Sequence, residues 1–260
     1  MPKDLSAEAK KQSSKKDKPK ETTAELISSL ASVLVIGLFI ITFCLQAFEI
    51  PSSSMVKTLL VGDHVFVDRV RLAPPSRALR WLTRYREPQR GDIVVFVSPA
   101  QPDLYVVKRV IGMPGDRIHL VNGSVFVNGV KQDEPYAIHS VGDYNAYRDN
   151  FPAVPADDQN LSPEWQLTLR DHIKGADLVV PPDTYFGMGD NRDVSYDSRY
   201  WGFIPRRNIV GRPMFTYWSF ETPENQWQQT DLGSRVQFMI HVVTHFFSDT
   251  RFSRMFHVVH

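Results

Sequence analysis

The chain has 260 residues, 42% of them apolar, and its 30 lysines and arginines nearly balance 29 aspartates and glutamates, for a formal charge of +1. That is enough apolar material for one or two packed domains, and it excludes both a disordered chain and a global basic field for nucleic acid. A single cysteine, Cys44, excludes an intrachain disulfide and a cysteine-built metal cage, so any covalent catalysis needs another nucleophile.

Residues 1–25 form a basic tail with seven lysines against five acids. Residues 26–48 follow as 23 uncharged positions, against the roughly 20 that cross a hydrocarbon core. The lysines on the entry side, with no basic cluster near the exit, predict a single-pass anchor with a cytoplasmic N-terminus and an exported remainder. A cleavable signal peptide is the rival reading. The apolar run is long for one, and Leu45-Gln46-Ala47 begins with a large residue where a cleavage site wants a small one. Phe43 before Cys44 is likewise too bulky for a lipoprotein box.

"DHVFVDRV" (63–70) has strand composition, and an arginine-rich stretch to Arg86 with Trp81 and Tyr85 follows, suited to a headgroup interface or to a solvated loop. "GDIVVFV" (91–97) and "DLYVVKRVIG" (103–112) read as buried strands. Asn122-Gly123 and Asn128-Gly129, each between short β-prone runs, predict tight hairpins. The expected fold is mainly β: an antiparallel domain over 49–136 and 181–233, interrupted by a polar inserted lobe over 137–180. Residues 234–260 form a C-terminal amphipathic tail, expected to lie at a membrane interface or to pack on the β domain.

Three serines in a row, Ser52, Ser53 and Ser54, stand just beyond the apolar run. A serine hydroxyl attacks only when a base takes its proton, and a neutral lysine can serve. For a base working at pH 7 the ammonium must be disfavoured by about 3.4 units, or about 4.6 kcal/mol, which full burial can supply. Strand alternation in Tyr105-Val106-Val107-Lys108-Arg109-Val110 puts Lys108 on a face with Val106 and Val110 and turns Arg109 away. Lys108 is therefore the candidate by environment. A solvated lysine on an edge strand is the alternative.

Four ordered segments, "IPSSSM", "RGDIVVF", "VVKRVIGMPGD" and "GDNRDVSYDSRYWGFIP", resemble the successive boxes of the type I signal peptidases, the membrane-anchored Ser-Lys leader peptidases of bacteria. The resemblance covers the anchor and most of the β domain; residues 137–180 and the tail fall outside it. It implies Ser54 as nucleophile and Lys108 as general base. It further implies that Ser52 lends its hydroxyl to the oxyanion hole, that Ser195 orients the lysine amine, and that Asp197 and Arg199 form a bracing pair behind them. Phe48, Ile50, Pro51, Met55, Leu59, Val106 and Val107 match walls of a pocket for small substrate residues, or are plain core. The implied substrates are signal peptides of secreted preproteins, cut at the bilayer of the bacterial plasma membrane by a monomer that needs no metal or cofactor.

One position departs from the family pattern: Lys57 stands where that pattern has proline, creating Ser54-x-x-Lys57, a signature of penicillin-recognising acyl enzymes. The Ser-Asp-Asn and Lys-Thr-Gly companions of that class are missing, and Lys57 is expected to be exposed and protonated. A non-enzymatic anchored β scaffold is the other alternative. His241 and His245 have metal-ligand spacing without the zinc-protease glutamate, and "DNRDVSYD" lacks the spacing of a calcium loop.

Overall fold

The computed structural model describes residues 22–72, 85–139, 142, 144–152, 158–224, 226–229 and 231–260. Most of the basic tail, and Trp81 with the greater part of the arginine-rich stretch, lie outside them. Helix α1 (Thr23–Phe39) starts at a capping box: the Glu25 N–H donates to the Thr22 hydroxyl and the Thr22 N–H to the Glu25 carboxylate, satisfying two backbone donors. It continues as a π-helical turn, Ile40–Cys44, and Thr23–Cys44 is long and apolar enough to cross a membrane. The expected span to Phe48 ends earlier. Leu45–Glu49 leaves the helix as β1, pairing antiparallel with β2 (Asp63–Asp68), so these backbone groups are satisfied by a sheet that a lone strand in lipid would lack.

The chain continues through β3 (Ile93–Val97), β4 (Tyr105–Gly112), β5 (Arg117–Val121), β6 (Ser124–Val127) and β7 (Val130–Lys131). Short helices α2 (Ala146–Asp149) and α3 (Pro163–Thr168) precede β8 (Ile173–Lys174), β9 (Asp177–Val179) and β10 (Thr184–Met188). One helical turn, α4 (Ser198–Trp201), leads to β11 (Ile204–Pro205) and the long β12 (Ile209–Ser219). After α5 (Leu232–Thr244) and α6 (Phe246–Asp249) the chain ends with β13 (His257–Val258). Among the described residues two antiparallel sheets form, one in the order β1-β2-β12-β3-β4-β10-β11 with β13 on β12, the other β7-β6-β5-β9-β8. The mainly β expectation holds.

Both Asn-Gly pairs make the expected turns. Asn122 and Gly123 have φ of 47° and 77°, Asn128 and Gly129 54° and 78°, the left-handed pair that matches strand twist in a two-residue hairpin. The second sheet takes strands from both sides of the boundary placed at residue 136: Ile173–Lys174 and Asp177–Val179 return to pair with β5. The polar, proline-rich stretch hid these short strands.

β3 is buried on both faces. Val94 and Phe96 join a core shared with β5, β6 and β10, while Ile93 and Val95 pack with Ile50, Met55, Leu59, Val65 and Val67. Val259 enters this second cluster, so the chain beyond α6 belongs to the β domain. Leu232, Val236, Met239, Ile240, Val243 and Phe247, spaced three or four apart, form one exposed stripe on α5 and α6.

Candidate active site

Ser54 sits on a 3-10 turn, Ser53–Met55, just beyond β1. Ile50, Met55 and Leu59 are buried beneath this loop, and the Ile50 N–H donates to the Asp63 carbonyl at 2.9 Å, so the loop is held against the sheet. The opposing Gly62 has φ +82°, and a Cβ there would lie 2.0 Å from the Phe220 carbonyl, a conformation and a space that only glycine fits.

Lys108 on β4 is 3% exposed, and its Nζ lies 2.7 Å from Ser54 Oγ. Burial depresses the amine to about 8; the Asp197 carboxylate pulls it partly back, Arg199 pushes it down again and Asp190 pulls it up. That distance is within the hydrogen-bonding reach a serine and an activating base would need. Ser52 Oγ lies 3.3 Å from Ser54 Oγ, so the two hydroxyls share one edge of the site.

Asp197 and Arg199 pair: Arg199 Nε and Nη2 reach the two Asp197 oxygens at 2.9 and 2.8 Å, and both residues are buried. Burial alone would raise the Asp197 carboxyl, yet the Arg199 charge and hydrogen bonds hold it below the usual carboxylate range. The Gly189 N–H also donates to Asp197 at 3.0 Å. Ser195 lies against Ser54 across this glycine, because a Cβ on Gly189 would fall 2.5 Å from Ser195 Cβ and 2.5 Å from the Ser54 carbonyl oxygen. The Ser195 hydroxyl is nevertheless buried with no hydrogen-bond partner among the described residues, so its expected bond to Lys108 is not formed here.

A second buried ion pair had no place in the sequence reading. Arg109 donates from Nε and Nη2 to the two Asp190 oxygens at 2.8 and 2.7 Å, the Thr58 hydroxyl donates to Asp190 at 2.5 Å, and the Asn191 N–H donates to the Ser54 carbonyl at 3.0 Å. Asp190 thus ties the Ser54 loop to the Lys108 strand. The signal available was an acidic residue in "GDNRD" with an arginine next to Lys108, but their pairing depends on the fold.

A cleft of ≈ 250 Å³ opens beside Ser54 and Lys108, and Phe48, Ile50, Pro51, Met55, Val106 and Val107 line it. Leu59 is the exception: it is 0% exposed and packs into the core under the loop. Tyr105 and Tyr196, not anticipated, also line the cleft, and Tyr105 meets Phe48 edge to face at 5.1 Å. The walls suit small apolar side chains.

Lys57 does not serve Ser54. It is exposed, and its φ of 78° breaks the helical turn that Ser-x-x-Lys chemistry needs. Proline, locked near −65°, could not adopt that φ. His241 stacks on His245 and pairs with Asp249 at 3.1 Å, and among the described residues no group of three or more potential ligands could hold a metal.

The family model described as signal peptidase, peptidase S26, matches residues 23–218. A protein of Synechocystis sp. named "Probable signal peptidase I-2" is 33% identical over 214 residues, covering 79% of this chain and 78% of its own. Signal peptidase I of Pseudomonas aeruginosa is 32% identical over 217 residues, covering 75% and 72%. A solved signal peptidase I from Enterococcus faecalis V583 is 32% identical, covers 49% of this chain and 97% of its own, and superposes with a TM-score of 0.37.

Proposed function

The chain belongs to the signal peptidase family, peptidase S26, a family of serine endopeptidases, and from that premise we propose that it removes signal peptides from exported preproteins with Ser54 as nucleophile and Lys108 as general base. The observation that carries the assignment is the 2.7 Å approach of a buried lysine amine to one serine hydroxyl beside an apolar cleft. Neutral Lys108 takes the Ser54 proton as Oγ bonds to the scissile carbonyl carbon. The Ser54 N–H and the Ser52 hydroxyl hold the oxyanion. The lysinium then protonates the leaving amine as the C–N bond breaks, and water, deprotonated by the same amine, hydrolyses the acyl-enzyme.

Ser54→Ala is expected to abolish processing of a preprotein. Lys57→Gly, which removes the ammonium and suits the left-handed backbone, should leave it within about twofold of normal. Processing by Ser54→Ala, or its loss in Lys57→Gly, would reassign the dyad.

Relatives of this kind are membrane-anchored, and α1 is a candidate span. The reading places the N-terminus in the cytoplasm and the catalytic domain, a monomer, outside the plasma membrane. The outward stripe on α5 supports contact of the domain with lipid, since an apolar helix face turned from the core marks an interaction surface. The outer face of β2 and β12 adds the rings of Phe66, Phe215, Tyr217 and Trp218, the last two amphipathic and of the kind found at headgroup level. Met239→Asp combined with Val243→Asp should cut processing of bilayer-embedded preprotein about tenfold while leaving a soluble peptide substrate unaffected. Equal loss on both substrates would refute the lipid contact.

A further inference from the structure

The segment joining β7 to β8 grips the stretch 189–199 at several points. Glu134 takes both Arg192 nitrogens at 2.8 and 2.7 Å. The Ile138 N–H donates to the Asp190 carbonyl at 2.8 Å, and the Arg192 N–H returns to the Ile138 carbonyl at 2.9 Å. His139 pairs with Asp193 at 3.2 Å, and Arg148 approaches the same carboxylate at 3.6 Å. Two further contacts converge on one atom. The Tyr147 hydroxyl and the Trp165 indole N–H both donate to the Arg199 carbonyl, at 2.5 and 3.0 Å, and both bonds are buried.

That convergence has a physical reading. A carbonyl oxygen has two lone pairs, and here side chains from outside the helix take both. Arg199 lies on the four-residue helix α4, which is too short to be stable alone, so its position depends on such external restraints. Its guanidinium holds both oxygens of Asp197 and donates to the Arg192 carbonyl at 2.6 Å, while Asp197 receives the N–H of Gly189, the residue lying against Ser54. The charged groups acting on Lys108 are Asp197, Arg199 and Asp190, and all three are held by this segment or by groups it holds.

We infer that Tyr147 and Trp165 are positioning residues for the peptidase reaction: by fixing the Arg199 carbonyl they fix the Asp197–Arg199 pair and so clamp the surroundings of Lys108. The inference rests on the assignment of Lys108 as the base. The clamp also keeps the pair packed, which excludes water from the amine. Releasing it admits water and relaxes the burial that depresses the lysine.

The test is the pH dependence of kcat/KM for Tyr147→Phe, Trp165→Phe and the double variant, which remove polar atoms and keep aromatic rings. The acid limb is expected to move up by about half a unit in the double variant, a threefold loss at fixed pH below the limb. KM should stay within about twofold. A limb that does not move overturns the inference, whatever happens to the melting temperature, because a purely structural role lowers stability without retuning the base. If the double variant does not fold, Tyr147→Phe, which removes one oxygen atom, decides alone. Lys108→Met in the same assay separates the two failures: activity in that variant fells the base assignment, whereas a dead Lys108→Met enzyme with an unmoved limb in the aromatic variants fells only the clamp.

Discussion

Lys108→Met is expected to abolish preprotein processing at every pH, a loss of at least about 10⁴-fold, and at the same time to make the protein more stable. Methionine fills the same slot with no basic atom, so the Ser54 proton has nowhere to go and only binding and oxyanion stabilisation remain. In the proposed mechanism the wild-type amine works only when neutral. With its amine at about 8, kcat/KM should rise tenfold per unit from acid pH and level off above 8. At pH 7 about one molecule in ten carries the competent form.

The stability half of the prediction follows from the same displacement. The folded-state value is lowered from 10.5 to about 8, so between those values the unfolded chain binds more protons and stability rises with pH. Below 8 both states carry the charge, and the folded protein bears the whole penalty of burying it, about 3 kcal/mol as an upper figure. Methionine removes that penalty, so the melting temperature at pH 7 should rise, and should rise less at pH 10. Residual processing that still climbs through pH 8, or an unchanged melting temperature, would contradict the assignment of Lys108 as a buried base.

Gly189→Ala is the second large effect. No left-handed backbone is involved; the obstacle is space. The added methyl would lie 2.3 Å from Ser195 Oγ, 2.5 Å from Ser195 Cβ and 2.5 Å from the Ser54 carbonyl oxygen. The Gly189 N–H is at the same time bonded to Asp197, so the glycine cannot retreat without breaking a buried hydrogen bond. The nucleophile loop or the Ser195 turn must therefore shift by on the order of 1 Å, which is enough to cost about 100-fold in kcat. Overpacking should lower stability by about 1–3 kcal/mol. Processing within twofold of wild type in a folded Gly189→Ala protein would show that the three segments can part without harm to the dyad.

What was legible beforehand was what local pattern encodes. Alternation in the run around Lys108 put the amine among valines, and Arg109 does turn away, into a pair with Asp190. Asn-Gly turns fixed two hairpins because left-handed backbone at two successive positions has few other solutions. What stayed hidden depends on contacts distant in the chain. The short strands at Ile173–Lys174 and Asp177–Val179 exist only because β5 offers an edge. Apolar composition ran on to Phe48, but Leu45–Glu49 found a strand partner in β2 and left the helix. Leu59 has the composition of a pocket wall, yet it packs in the core with Val65, Val67 and Val95, residues its own sequence neighbourhood does not reveal. The convergence of Tyr147 and Trp165 on a single carbonyl leaves no periodicity to read.

The strand order also governs when the enzyme can become active. Ser54 follows β1 and Lys108 lies on β4, and in the main sheet β12 stands between β2 and β3. A growing chain presents both reactive side chains long before β12, which ends at Ser219, has been made. Until that strand inserts, Ser54 and Lys108 belong to two unjoined pieces of sheet. The join between those two pieces is thus made by a strand that the ribosome supplies only after both side chains, more than 100 residues beyond Lys108.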